Sequence, residues 1–290
     1  MKRSWSEGNP LPLTRENLNL FNASQPSASL SPSKQTTSLL EERHKLGAYK
    51  IVVDQDAEIP TCLKEHIDTV ILRKKADFTV GALRIVQRRR TILEQNEPGA
   101  IRLVEPFMLP SGEAEDECGL PLISKKYDIL FAKPFLPPPP PLVRQKLQQA
   151  KPDVCLGYVT SQISLSSKYP SHASTVNEEL LIASFQPSSF VHFPFLTAQW
   201  KSSASSSTLH AQNQAARDGA VAVNSLSRFF LAAEQTPSIV RMCHFSLVCD
   251  AQYREIWVHW KQGDVHHMEI VFCFAFRDEG GVERALEILS

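Results

Sequence analysis

The sequence predicts a mixed α/β domain, in which helices flank a sheet of mixed strand direction. Several segments carry apolar residues at helical spacing, and short runs rich in β-branched and aromatic residues lie between them. The elements follow the order helix, helix, strand, strand, strand, helix, strand, strand, strand, helix. This order lacks the regular alternation of a parallel βαβ sheet, and 290 residues are enough to bury a sizeable core.

The chain opens with a polar segment. Residues 1–38 are rich in Ser, Pro, Asn and Gln, and they carry too little apolar surface to offset the entropy of ordering. We expect a disordered leader there and one α/β domain over residues 39–290. The start has no apolar signal region, and nowhere do about 18 apolar residues run together to span a bilayer. The sequence therefore predicts a soluble, intracellular protein without a membrane segment.

The charges balance. Lys and Arg total 31, as do Asp and Glu, so no global basic field attracts a nucleic acid, and any such contact must be local. The basic runs 73–75 and 88–90 are compatible with phosphate contacts, with nuclear localisation signals, or with solvated helix faces. The six cysteines show no C-x-x-C spacing, and several lie in apolar runs, which predicts reduced core thiols.

Two helices are predicted before the first strand. In "IPTCLKEHIDTVILRKK" the apolar residues Leu63, Ile67 and Ile71 recur at helical spacing, and Thr61 is available as a cap. The second helix spans 79–95 and should stop at Glu97-Pro98, because proline disfavours helix in the residue before it.

The middle of the chain alternates strands with irregular segments. A strand is predicted from Tyr127 ("YDILFA"), then extended polyproline over 137–141, a short helix over 143–149 and the strand "KPDVCLGYVT". Residues 161–189 are polar and irregular, and we interpret them as an insertion.

The second half begins with the strand "HFPFLTAQWK" and the longest helix, 209–234, whose apolar residues follow a 3.6-residue period. Three strands follow: "IVRMCHFSLVCD", "YREIWVHWK" and "VHHMEIVFCFAF". Gly263-Asp264 supplies a hairpin turn between the last two. The helix "GVERALEIL" comes last.

Two of these strands carry unexpected polar residues. Alternate side chains share a face of a strand, so Gln199 and Lys201 point the same way. A lysine at the end of an apolar strand needs water or an anion, and Asp153 supplies one if the two strands pair. An acid, a second oxygen ligand and a lysine are the minimum equipment for Mg²⁺-dependent hydrolysis of a phosphodiester.

The order and flanking residues of five segments carry a family resemblance. They are "NEPGAIRLVEPFMLP", "LPPPPPLVRQKLQQAKPDVCLGY", "HFPFLTAQWKSS", "HAQNQAARDGAVAVNSL" and "IWVHW". Together they resemble the PD-(D/E)XK nuclease-like, or restriction-endonuclease-like, fold. More closely, they resemble an uncharacterised domain family abundant in filamentous fungi that shares this core. The resemblance covers about residues 43–277.

The resemblance implies a role for each candidate site residue. Asp153 matches the metal-binding aspartate, Lys201 matches the catalytic lysine, and Glu97 matches an acid offered from the helix before the strands. Gln214 matches a helix glutamine that steadies the substrate or the site. Gln199 is a departure, because the family pattern has Asp or Glu there; an amide lends Mg²⁺ a neutral oxygen but no charge.

Two functional hypotheses follow. In the first, the domain is a Mg²⁺-dependent nucleic-acid phosphodiesterase in which Asp153, Gln199 and Glu97 hold the metal and Lys201 assists the attacking water. In the second, it is a catalytically inactive module of the same fold that binds nucleic acid or protein.

The single residues also have structural interpretations. Asp153 is compatible with a strand-end cap, Lys201 with a solvated strand terminus, Glu97 with a helix end and Gln214 with a helix–sheet hydrogen bond. A metal role for His259, His266 and His267 is less consistent with their apolar neighbours than packing or exposure is.

Overall fold

The computed structural model describes residues 38–73, 79–110, 123–141, 146–158, 182–201, 208–250 and 253–289. Residues 1–37 of the predicted leader and residues 161–181 of the predicted insertion lie outside this part of the chain. From Ser38 onward the chain forms one unit by its internal contacts.

Seven strands form one mixed sheet in the order β1-β7-β6-β5-β4-β3-β2. The strands are β1 (Ile51–Val53), β2 (Ile123–Tyr127), β3 (Val154–Tyr158), β4 (His192–Trp200), β5 (His244–Cys249), β6 (Tyr253–Gln262) and β7 (Val265–Ala275). The pairs β1/β7 and β4/β5 are parallel, and the other neighbours are antiparallel.

Helices cover both faces of this sheet. They are α1 (Leu39–Ala48), α2 (Thr61–His66, continued by a π-helical turn over Ile67–Ile71), α3 (Thr79–Leu93), α4 (Glu97–Met108), α5 (Thr208–Ala232), α6 (Ile239–Met242) and α7 (Glu279–Leu289). The predicted fold class, a mixed sheet flanked by helices, is confirmed.

Helix α5 is the element that positions the site. The predicted long helix is present, and its buried stretch is dominated by alanine, glycine and valine. Small residues let the helix lie close to strands β4, β5 and β6. The opposite face of β4 carries Leu196, Ala198 and Trp200, which pack in a cluster with residues of α3, α4 and α7. Strand β4 therefore separates an apolar layer from the layer of α5.

Two N-terminal elements were not predicted. Helix α1 begins with a capping box, in which the Ser38 hydroxyl accepts from the Glu41 backbone and the Glu41 carboxylate accepts from the Ser38 backbone. Strand β1 then adds an edge to the sheet beside β7. A three-residue strand carries no readable alternation, which explains the omission.

The strand predicted from Tyr127 is wrong in its position. Strand β2 ends at Tyr127, because Asp128 takes a left-handed conformation (φ 53°) that breaks the ladder. Beyond it, Ile129 and Phe131 are buried in an apolar cluster, so these residues are apolar because they pack, outside any strand.

The boundary at Glu97-Pro98 is also different from the prediction. Helix α3 ends at Leu93, and a new helix begins at Glu97. The Asn96 side chain accepts from the Gly99 backbone at 3.0 Å, and Pro98 lies in the first turn, where its missing N–H costs nothing. Proline here starts a helix.

Three smaller predictions also need correction. Pro60 occupies the cap position of α2 and makes no side-chain cap, so Thr61 is the first helical residue. The described part of the helix predicted over 143–149, from Lys146 onward, is not helical. The first residues of the strand predicted in "IVRMCHFSLVCD" form α6.

Other expectations are confirmed. Gly263 takes a positive φ of 58° in the predicted hairpin between β6 and β7. The five described cysteines are all free thiols, and Cys155 and Cys249 are buried as expected. The expectation is wrong for Cys273, which lies in the apolar run "IVFCFAF" of β7 but is exposed. Among the described helices, none combines the length and the apolar character that crossing a bilayer demands.

Candidate functional site

Strands β3 and β4 bring Asp153 to the end of β4. They pair antiparallel with Val154 opposite Ala198. The backbone N–H of Asp153 donates to the carbonyl of Ala198 at 3.1 Å, and the Asp153 Oδ2 accepts from the backbone N–H of Trp200 at 2.7 Å. The carboxylate is therefore held in place by the neighbouring strand.

Lys201 follows directly after β4, and its side chain is only 7% exposed. Its Nζ lies 3.8 Å from the Oδ2 of Asp153 and donates to the carbonyl of Trp200 at 2.6 Å. The Lys201 backbone N–H donates to Cys249 of β5 at 2.8 Å, which continues the sheet by one residue. The structure thus brings Asp153 and Lys201 together, as the sequence predicts.

The side-chain amide of Gln199 links β4 to helix α5. Its Nε2 donates to the Oδ2 of Asp218 at 2.6 Å and to the carbonyl of Lys151 at 3.1 Å. Neither Gln199 nor Asp218 has any exposed surface. Because the amide nitrogen serves both acceptors, the Oε1 of Gln199 is left over, and it finds no hydrogen-bond partner among the described residues.

Asp218 is an acid that the sequence analysis did not select. Burial raises the pKa of its carboxyl to about 7, and the charge of Asp153 adds to this rise. The hydrogen bond from Gln199, the charge of Arg217 and the backbone of Lys151 oppose it. The carboxyl therefore exchanges its proton near neutral pH, and it lies near enough to Asp153 for the two charges to interact.

Gln214 lies one helical turn before Asp218 on α5, so the two share a helix face. Its Oε1 is buried and has no hydrogen-bond partner within the described part of the chain, and the same is true of the Oδ1 of Asp218. With the Oε1 of Gln199, three buried side-chain oxygens of β4 and α5 lack a hydrogen-bond partner among the residues that the structure describes. An unsatisfied buried acceptor costs about 1–3 kcal/mol.

Glu97 stands apart from this group. It is the first residue of α4, which packs with α3 and α7 in the layer opposite α5. Its side chain is not among those described. The metal role implied for Glu97 stays a prediction.

The histidines are occupied in packing. His259 is buried, its Nε2 lies 2.7 Å from the Ser246 hydroxyl, and burial lowers its pKa well below the usual value. His267 stacks on the ring of Trp260 with centroids 4.9 Å apart. Within the described residues, no three His, Cys, Asp or Glu side chains form a group that could hold a metal ion.

The described donors are therefore two carboxylates and two amides, from Asp153, Asp218, Gln199 and Gln214. Magnesium prefers oxygen ligands of this kind, and the three unpartnered oxygens are acceptors that a cation would satisfy. The donor set fits a hard cation better than it fits a soft one such as Zn²⁺.

One signal in the sequence could have identified Asp218. Ala215, Asp218 and Ala222 follow helical spacing on the buried side of α5, so an acid occupies an apolar position of that pattern. Charged residues are almost never fully buried unless they are paired. An aspartate in such a place marks either a structural network or a site.

The fold and the site define a mixed α/β protein with a buried, oxygen-rich cluster between one strand and the helix that covers it. The chain belongs to the family of the domain of unknown function DUF7924, whose sequence profile matches residues 84–286. This confirms the expected membership of an uncharacterised domain family. Neither a curated protein nor a solved structure matches the chain.

Proposed function

We propose that the domain is a metal-dependent nucleic-acid phosphodiesterase of the PD-(D/E)XK nuclease-like kind. The convergence of Asp153 and Lys201 at the ends of two adjacent strands, with Gln199 on the same face as Lys201, carries the proposal. A lysine that is 93% buried beside an aspartate costs desolvation energy, which a purely structural strand end does not need.

Each residue has a chemical role in this proposal. The Asp153 carboxylate and the Gln199 Oε1 would hold Mg²⁺, which supplies charge stabilisation on the phosphate and a more acidic water. The Lys201 ammonium orients the attacking water or stabilises charge on the phosphate oxygens. Gln214 steadies the substrate, and Lys151, which is 48% exposed and pairs with Asp128 at 2.7 Å, exchanges this exposed partner for a phosphate.

We also propose nuclear localisation and a fungal family for the domain. In the basic run 88–90, which we propose as a nuclear localisation signal, Arg88 and Arg90 are exposed on α3, whereas Arg89 is half-buried and donates to the Val86 carbonyl at 2.9 Å. Arg88 also lies over the ring of Phe107 at 5.3 Å, so that run has a packing role as well. The resemblance to a domain family abundant in filamentous fungi is the support for proposing a fungal domain.

A second candidate is the catalytically inactive module that binds nucleic acid or protein. One observation favours it: the amide of Gln199 and the ammonium of Lys201 already have acceptors in Asp218, Lys151 and Trp200. In that case the cluster serves to fix the ends of β3 and β4 against α5.

Cleavage of end-labelled single- and double-stranded DNA and RNA, with Mg²⁺ or Mn²⁺ and with EDTA, separates the two candidates. The wild type should cut at least one substrate in metal and none in EDTA. Lys201→Met and Asp153→Asn should each lower the rate about 100-fold or more. The control Lys50→Met, at an exposed lysine paired with Asp264, should cut like the wild type. Absence of metal-dependent cleavage by the wild type overturns the proposal and leaves the binding module.

A further inference from the structure

The Gln199–Asp218 contact bears on how the site acquires its charge. In the family pattern that the sequence resembles, the residue at position 199 is an acid. Here that position is an amide, which carries no negative charge to balance the charge of a cation. With Asp153 alone, the strands offer one carboxylate, and Lys201 at 3.8 Å offsets it. A second acid within reach would strengthen the binding of a divalent cation here.

Helix α5 places such an acid at the site. Asp218 lies beside Gln199, fully buried, with its Oδ2 at 2.6 Å from the amide nitrogen. Its Oδ1 has no hydrogen-bond partner among the described residues, although a buried carboxylate oxygen is costly to leave unsatisfied. The neighbouring cation, Arg217, forms its ion pair with Glu42 of α1.

The unpartnered oxygens give independent support. Gln199 is fully buried, and its Oε1, like the Oδ1 of the Asp218 carboxyl that its amide nitrogen contacts, has no hydrogen-bond partner among the described residues. Two such acceptors, on side chains that are hydrogen-bonded to each other across facing elements, are the arrangement that an oxygen-liganded cation resolves.

We infer that Asp218 supplies the second carboxylate of the site, in place of the acid that Gln199 replaces. The inference rests on the proposed metal-dependent function. It also explains the amide itself. A glutamate at position 199 would put two carboxylate oxygens within hydrogen-bond distance of each other in the core, and like charges there repel strongly. Because Asp218 of α5 is the acid, β4 carries at position 199 an amide that donates a hydrogen bond to it.

The experiment measures Mn²⁺ binding by calorimetry, which needs no activity. The wild type should bind one Mn²⁺, and Asp218→Asn should weaken it about 10- to 100-fold. The single variant Gln199→Glu should not tighten binding. The double variant Gln199→Glu/Asp218→Asn exchanges acid and amide between strand and helix, and it should return the affinity to within about threefold of the wild type.

The controls separate the two proposals. Asp264→Asn removes an exposed carboxylate, 82% accessible, and should bind like the wild type. If Asp153→Asn abolishes binding while Asp218→Asn leaves it unchanged, the role of Asp218 is overturned and the metal site of the proposed function stands. If the wild type binds no Mn²⁺, both are overturned. If Asp218→Asn fails to fold, the double variant decides, because binding by it at wild-type affinity supports the exchange and absence of binding refutes it.

Discussion

Gln199 and Asp218 form a fully buried amide–carboxylate pair, with 2.6 Å between the amide nitrogen and the carboxylate oxygen. The pair joins the strand that carries Lys201 to the helix that covers the sheet. Through its second hydrogen bond, Gln199 also holds the carbonyl of Lys151, two residues before Asp153. One side chain thus ties the three segments of the site together, and its replacement tests structure and function at once.

Asp153 has a structural role that can be separated from metal binding. Its Oδ2 accepts the Trp200 N–H at 2.7 Å, so Asp153→Ala leaves that buried donor unpaired and should lower the free energy of unfolding by about 1–3 kcal/mol. Asp153→Asn keeps an acceptor oxygen for this hydrogen bond and loses only the charge that faces Lys201, so it should cost less than Asp153→Ala. Urea denaturation of the two variants measures the difference. Equal losses would show that the hydrogen bond does not hold β4.

The buried histidine His244 predicts a loss of stability in acid. Burial lowers the pKa of His244 from 6.5 to about 4, and a hydrogen bond to the carbonyl of Pro194 opposes the shift. Its ring also faces Thr197 and His259. Because the folded state prefers the neutral ring, this stabilisation is complete above pH 6.5 and is lost as the pH falls towards 4. It amounts to about 3 kcal/mol.

Urea denaturation between pH 7.5 and 4.5 tests this dependence. His244→Gln should flatten the fall in unfolding free energy with decreasing pH, although His259 and His266 retain part of it, since burial lowers their pKa values too. His44→Gln, at an exposed position on α1, should leave the slope unchanged. An unaltered slope in His244→Gln would refute the assignment.

Gly219 fixes how closely α5 approaches the sheet. A Cβ atom at this position would overlap the ring of His259, which is buried and hydrogen-bonded to the Ser246 hydroxyl. Gly219→Ala should therefore destabilise the protein by about 1–3 kcal/mol or more, despite the higher helix propensity of alanine. The matched change Gly47→Ala in α1 meets nothing within 4 Å and should be neutral or stabilising. Thermal melts of both variants measure the contrast, and a stable Gly219→Ala would contradict it.

The sequence predicted correctly those features that depend on interactions between residues near one another in the chain. Alternation along β4 predicts that Gln199 and Lys201 share a face, and the 3.6-residue period predicts α5, because both depend only on neighbouring residues. The sequence-based prediction failed where a single backbone angle determines the end of an element, as at Asp128, whose left-handed conformation ends β2. It also failed at Pro98, since the same proline suits a helix end and a helix start.

The site residues follow the same division. The meeting of Asp153 with Lys201 depends on strand register, which the sequence constrains through the buried faces of β3 and β4. The meeting of Gln199 with Asp218 depends on the rotation and closeness of α5 over the sheet. Packing of small residues sets both, and no local pattern specifies them.

The most direct test of the account is an anomalous difference map from crystals grown with Mn²⁺. The account predicts one strong peak between β4 and α5, about 2.0–2.3 Å from carboxylate oxygens of both Asp153 and Asp218. A peak near Asp153 but not near Asp218 would support a metal site and would refute the role of Asp218 as a ligand. No peak between these elements at saturating Mn²⁺ would contradict the claim that this cluster is a metal site.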